Sequence, residues 1–313
     1  MNSHQRRGAA LLGAALFLVT ACGGGATTAP SIAATIIPSG TQAPASVAPV
    51  ATLVASVPAG QLILPGKLVV CSDLPYPPFE FFDDAGNPTG SDIDIATEIA
   101  KRLGLTAQVE NSVFDTIIDA LTGGKCDIIA SDQNITTDRL KQVDMIPHFQ
   151  AGQSFVVAKG NPKAINTLDD LCGKSVGAET GTTEVQYLNG TGDYKGKGLS
   201  AACTAKGKGA IDVKEFTKDT EALSALLGSQ VDAYFADSPV AGYYTVQHPD
   251  QFELSAIPPL QPIKVGISVA KDKTGLRDAV KAALISMVND GTYLTILKKY
   301  GVETGAILVT DIK

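Results

Sequence analysis

The chain has 313 residues, 44% hydrophobic and 18% charged, with 25 Lys and Arg against 32 Asp and Glu for a formal charge of −7. A single domain usually holds about 100–200 residues, so two folded units are expected. The acidic balance, the lack of Trp and an aromatic content of 6% argue against a nucleic-acid partner, whose capture rests on a basic surface.

The charges are unevenly placed: none occurs between Arg7 and Lys67. Arg6 and Arg7 form a basic start, Ala9 to Val19 is a short apolar run, and Val19-Thr20-Ala21-Cys22 follows. This order reads as a secretory signal, too short and wrongly flanked for a membrane span. Small residues before a Cys resemble a bacterial lipobox, which implies a leader over 1–21 and a lipid (palmitate among its chains) on Cys22, anchoring the protein outside the cytoplasm. Losing Arg6 and Arg7 with the leader moves the formal charge from −7 to −9. Residues 22–62 are rich in Gly, Ala, Thr, Ser and Pro, with Pro30, Pro38, Pro44, Pro49 and Pro58 breaking any helix. Such a segment cannot offset its ordering entropy by burial and is expected to be a disordered tether. About 40 flexible residues span roughly 35 Å.

Beyond the tether, Leu68 to Ser72 reads as a buried strand, Tyr76-Pro77-Pro78-Phe79 as a loop and Asp83 to Asn87 as a turn. Ser91, with Asp94 three residues on, starts a helix carrying Ile93, Ile95, Ala96, Ile99, Ala100 and Leu103 at helical spacing, with Gly104 as its stop. Val113 to Leu121 is a second helix and Cys126 to Ser131 the next strand. Strand, helix, strand, helix, strand with short connections means an α/β unit, whose ligands bind at the carboxyl ends of the strands, here Asp73 to Tyr76 and Ser131 to Asn134. A second α/β segment follows: strands over Ser154 to Lys159, Lys174 to Ala178 and Val231 to Ala236, and a helix opened by Gly181-Thr182-Thr183, where Thr183 and Gln186 have capping-box spacing. Ile263 to Ala270 is strand-like, and Leu276 to Leu297 supplies a helical tail. No P-loop, dinucleotide fingerprint or nucleophile elbow occurs.

Five Cys less Cys22 leave Cys71, Cys126, Cys172 and Cys203, which allow three pairings. If the first two share one unit and the last two another, the bonds are Cys71–Cys126 and Cys172–Cys203. The second would add about 3–4 kcal/mol to its unit in the chain-entropy model. Without CxxC, and with only His148 and His248 beyond the leader, no metal site is expected.

From about residue 64 to the end, an ordered set of motifs resembles the polar amino-acid-binding proteins of ABC importers, family 3 of the extracellular solute-binding proteins. The set is Tyr76-Pro77-Pro78-Phe79-Glu80, Gly90-Ser91-Asp92-Ile93-Asp94, Cys126-Asp127-Ile128-Ile129, Ile135-Thr136-Thr137-Asp138-Arg139, Leu171 to Thr183, Val231-Asp232-Ala233 with Asp237, and Asp290-Gly291-Thr292-Tyr293. The resemblance implies a two-lobed periplasmic-binding-protein fold of type II with two hinge crossings, near Phe149–Gln153 and Pro262–Gly266. Lobe 1 is then 63–153 plus 262–313, and lobe 2 is 154–261. It implies a monomer without cofactor or catalysis that hands a free amino acid to a membrane permease and its ATPase.

A free amino acid is a zwitterion, and each end needs its own partner. Arg139 suits the carboxylate through its guanidinium fork, and Thr183, at a helix N-terminus, adds a donor. Asp237 suits the ammonium, with the Asp132 carbonyl beside it. Tyr76 and Phe114 stand where the family places rings around the ligand, and Asp73 where it reaches polar or cationic side chains. Two positions depart from the pattern: Asp132 where the family has a small residue, and Asn134 where it has Ser or Thr. Asp73, Asp132 and Asp237 around one Arg favour a cationic ligand (Arg, Lys, ornithine or His) and disfavour Glu and Asp. The alternatives are a dehydratase-like enzyme on the same fold, for which Asp132 is the candidate acid, and a sensory receptor with the same site.

Overall fold

A computed structural model describes residues 53–260 and 262–312; Cys22, the leader and the tether as far as residue 52 lie outside them. The elements run β1 (Lys67–Ser72), β2 (Phe81–Phe82), β3 (Pro88–Thr89), α1 (Ser91–Arg102), β4 (Thr106–Asn111), α2 (Ile117–Thr122), β5 (Ile128–Ile129), α3 (Thr137–Gln142) and β6 (Val143–Ala151). They continue with β7 (Gln153–Ala158), β8 (Ser175–Glu179), α4 (Thr183–Asn189), α5 (Leu199–Ala205), β9 (Asp212–Phe216), α6 (Asp219–Leu227), β10 (Ala233–Asp237), α7 (Ser238–Gln247), β11 (Phe252–Leu254), β12 (Ile263–Ala270), α8 (Thr274–Asp290) and α9 (Thr292–Lys299).

Two five-stranded sheets result, ordered β4-β1-β5-β12-β6 and β11-β7-β10-β8-β9. In the first, β1 runs parallel to β4 and β5, and β12 antiparallel to β5 and β6. In the second, β8 runs parallel to β9 and β10, and β7 antiparallel to β10 and β11. The chain passes from the first sheet to the second at Gly152 and returns between Leu254 and Ile263. The two passages touch, with the Leu260 amide donating to the Gln153 carbonyl at 2.8 Å.

The inner strands of the first sheet, β1, β5 and β12, bury both faces, which is why they read as apolar runs. Leu68, Val70, Ile128, Ile267 and Val269 face Ile95, Ile99, Val280, Leu284 and Leu297. Val69, Cys71 and Ile129 face Ile117, Leu121 and Val143. The C-terminal helices therefore return to the first unit, and Arg102 at the end of α1 ties α8 to it through Asp290 and Ser286, each at 2.7 Å. In the second sheet Phe155, Val176, Ala233 and Phe235 pack with Leu188, Leu199 and Cys203. Cys71–Cys126 and Cys172–Cys203 are disulfides, as expected from the two-unit pairing.

Several local expectations change. Residues 53–62 are not free tether. The Val54 amide donates to the Arg102 carbonyl at 3.1 Å, Gln61 accepts from the Leu276 amide, and Ala55, Val57 and Leu62 pack on the first core. Ala, Val and Leu scattered among Gly and Pro give no periodic signal, yet three apolar contacts and these bonds suffice to dock the segment. Ser91 is the first residue of α1 rather than its cap; Gly90 caps, at φ 127°, where an added Cβ would lie 2.1 Å from the Phe79 carbonyl oxygen. The helix expected from Val113 starts as a 3₁₀ turn over Phe114–Thr116 and becomes α-helical only at Ile117. Thr182, not Thr183, caps α4, its hydroxyl accepting from the Val185 amide at 3.4 Å.

Candidate functional site

The parallel strands of each sheet end toward the other sheet, and the space between these ends is a small, tightly lined cavity. All eight residues expected to hold the ligand line it: Asp73, Tyr76, Phe114, Asp132, Asn134, Arg139, Thr183 and Asp237. Glu80, Ser131, Glu179, Thr182 and Glu184 line it as well. Among the described residues, no group of His, Cys, Asp and Glu is arranged to hold a metal ion.

Arg139 sits on α3, whose first turn is fixed by the Thr136 hydroxyl accepting from the Arg139 amide at 3.2 Å. Its guanidinium donates to the Asn134 carbonyl at 2.8 Å and, across the cleft, to the Gly181 carbonyl at 3.1 Å. The Phe114 ring lies 5.1 Å from the guanidinium carbon, a cation–π distance. Burial pushes the Arg139 pKa down to about 10, against the pull of Glu184, Asp237 and Asp132. The guanidinium remains a cation at neutral pH.

Asp237 ends β10 and precedes α7 without capping it, so its carboxylate is free to face the cavity. The Tyr76 hydroxyl, from the other unit, donates to Asp237 Oδ2 at 3.0 Å and accepts from the Asp237 amide at 3.1 Å. Asn134 donates to the Thr183 hydroxyl at 2.9 Å, again across the cleft, and Gln153 donates to the same oxygen at 2.7 Å. Gly181 has φ +82°, and a Cβ there would stand 2.8 Å from Asp115 Oδ1 on the opposite unit. The two units are therefore in contact around the cavity.

Asp132 neither faces solvent nor caps a turn. It is 3% exposed and left-handed at φ 39°, a conformation Asp tolerates better than most residues. Its amide donates to Asp92 Oδ2 at 2.8 Å, and Asp92 Oδ1 meets His148 Nε2 at 2.9 Å. Neither Asp132 carboxyl oxygen meets an N–H or hydroxyl donor; the Asp132 carboxyl bonds instead to that of Asp237, and one oxygen each of Glu80, Glu179 and Glu184 is buried without a partner.

Asp73 is placed differently from its expected role. Its Oδ2 accepts from the Phe114 amide at 2.5 Å, and its Oδ1 is paired with the Lys218 ammonium. Six carboxyl groups thus line a cavity whose counter-charges are Arg139 and Lys218. Burial raises the pKa values of all six, and neighbouring acids raise those of Glu80, Asp132, Glu179 and Glu184 further. Glu179 is pushed up to about 10 and Asp237 to about 6, while Asp132, Glu80 and Glu184 are held well above the usual carboxyl range. Without a ligand, the cavity balances its charge by keeping protons.

Sequence reasoning reached Ser131 only as the start of a strand end and left Glu80, Glu179, Thr182, Glu184 and Lys218 out of the site. The strand-end rule, applied to the second sheet as it was to the first, would have found Glu179 at the end of β8. Glu80 closes the aromatic-proline motif, and Glu184 follows Thr183 directly. Lys218 carries no local signal, since it stands in the loop before α6 and meets Asp73 only through the tertiary fold.

Residues 68–303 match the family model for bacterial extracellular solute-binding proteins, family 3. An ancestral arginine-binding protein, solved bound to arginine, is 36% identical and superposes with a TM-score of 0.66, covering 75% of this chain and 98% of its own. An ancestral arginine-binding protein solved bound to glutamine is likewise 36% identical, with a TM-score of 0.68, covering 76% of this chain and 99% of its own. An ancestral amino acid-binding protein, AncCDT-1, a precursor of cyclohexadienyl dehydratase, is 32% identical with a TM-score of 0.65, covering 75% of this chain and 95% of its own. The lysine/arginine/ornithine-binding periplasmic protein of Escherichia coli K12 is 30% identical over 244 residues, 76% of this chain and 88% of that protein. The motifs, the two facing sheets and this match together place the chain among the bacterial extracellular solute-binding proteins of family 3.

Proposed function

We propose that this protein captures a free cationic amino acid outside the cytoplasm by closing its two units, and delivers it to the permease and ATPase of an ABC importer. The observation that carries the cationic reading is the cavity's surplus of acids: six buried carboxyl groups around Arg139 and Lys218. Arg139 would exchange its carbonyl partners for the ligand carboxylate, helped by the Thr183 hydroxyl. Asp237 would take the α-ammonium, and Tyr76 and Phe114 the aliphatic stem. Asp132, released from its bond to Asp237 when the ligand enters, would then turn its carboxylate to the charged end of the side chain, a guanidinium fork or an ammonium.

The groups named come from both sheets, so a ligand touching all of them favours the closed arrangement by its differential affinity for it. The role is capture without chemistry, with boundaries at 63–153 plus 262–313 for one lobe and 154–261 for the other. A lipid on Cys22 would keep the protein at the membrane. In support, the arginine-bound ancestral protein and the Escherichia coli relative bind amino acids of this charge class by name.

Calorimetry against arginine, lysine, ornithine, histidine, glutamine and glutamate tests the reading. Tightest binding by one of the first four is expected. Tightest binding by glutamate, or by glutamine with no response to the cations, overturns it. Membrane retention of a Cys22→Ala protein at wild-type levels would remove the lipid anchor.

A further inference from the structure

Lys218 stands in the loop before α6, on the second unit, yet every acceptor its ammonium meets lies on the first. Its Nζ pairs with Asp73 Oδ1 and reaches the Ser112 carbonyl at 3.2 Å and the Leu74 carbonyl at 3.4 Å. An ammonium has three protons to donate, and here there are three acceptors. With Oδ2 held by the Phe114 amide, both oxygens of Asp73 are occupied. Lys218 is 24% exposed at its side chain, against 4% for Asp73, so the pair closes one end of the cavity with the acid inside and the lysine stem reaching out.

We propose that Lys218 is a specificity-determining residue that acts through Asp73: by occupying this carboxylate, it denies it to a cationic ligand side chain and restrains the preference of the pocket for cations. The inference rests on the amino-acid-binding reading above but not on which amino acid is bound. A ligand cation at this end must displace the lysine from three acceptors and approach its positive charge. A neutral side chain meets neither penalty. Asp132, Glu80, Glu179 and Glu184 are thereby left as the acids open to a ligand cation, with Asp73 a guarded reserve. The contact also bridges the cleft, so its loss affects closure with any ligand; that effect cancels when two ligands of equal shape are compared.

The test is the ratio of affinities for arginine and its neutral isostere citrulline, with glutamine and glutamate in the same panel, in wild type, Lys218→Met, Lys218→Gln and Lys218→Arg. In the Met and Gln proteins the ratio is expected to shift toward arginine by about tenfold or more, while the Arg variant keeps the wild-type ratio. Adding Asp73→Asn to Lys218→Met should abolish the gain. A ratio within about twofold of wild type in both the folded Met and Gln proteins overturns the inference. A wild type that binds glutamate tightest, or glutamine with no response to arginine, lysine, ornithine or histidine, overturns the cationic reading instead, and the shift in ratio still decides the role of Lys218. A wild type that binds none of these amino acids overturns both.

Discussion

Acidification should weaken capture of arginine far more than capture of citrulline. Asp132, Glu80, Glu179 and Glu184 hold protons in the unliganded cavity because burial and neighbouring acids raise their pKa values. A ligand cation stabilises the ionised form, so one of them must release its proton on binding. The unliganded protein then binds more protons than the complex, and affinity rises with pH. Asp237, at about 6, serves every amino acid through its α-ammonium. It is about nine-tenths ionised at pH 7 and about one-tenth at pH 5, so any ligand loses about tenfold over that interval. Arginine loses more over the same interval, because the additional proton its side chain displaces steepens the dependence on pH. Calorimetry at pH 7 in two buffers of different ionisation enthalpy counts that proton directly: about one more released for arginine than for citrulline. Equal proton counts and parallel pH profiles for the two ligands would refute the argument that the cavity keeps protons until a cation arrives.

Three substitutions probe the other parts. Arg139→Ala should cost about 2–4 kcal/mol of binding, roughly 30- to 1000-fold, for every amino acid alike, because the carboxylate is common to all; calorimetry across the panel checks the uniformity. Gly181→Ala adds a methyl group where φ is +82° and Asp115 of the facing unit is 2.8 Å away, so it should hold the units apart. Small-angle scattering should show the larger dimension even with saturating ligand, and affinity should fall. Replacing both Cys172 and Cys203 by Ala opens a loop of sequence separation 31, which the chain-entropy model values at about 3–4 kcal/mol. Thermal unfolding should reveal an earlier transition, with ligand affinity at low temperature little changed.

Much of this was legible because the site is built from backbone landmarks. Leu68, Val69 and Val70 are buried on both sheet faces and read as a strand; Asp73 and Asp237 follow strands, and Arg139 follows a Thr that caps its helix. The unusual Asp132 was visible as a departure from the family pattern. What hid were features decided by tertiary approach. Glu80 and Glu184 resemble ordinary polar residues at a loop and a helix start until the fold buries them. The short helices misplaced their caps by one residue, since Thr182 and Thr183 are chemically alike and only the backbone decides between them. Residues 53–62 dock through isolated apolar contacts that no periodicity announces.

The two disulfides join first Cys to second and third to fourth along the folded chain, and neither crosses the cleft. A chain threading N-terminus first into an oxidising space presents Cys71 and Cys126 together before Cys172 has emerged. Its order of delivery already matches its order of pairing, so correct oxidation needs no later reshuffling of bonds. Oxidation also leaves the joint alone: a reductant would loosen each half of the molecule while the hinge between them kept its freedom of travel.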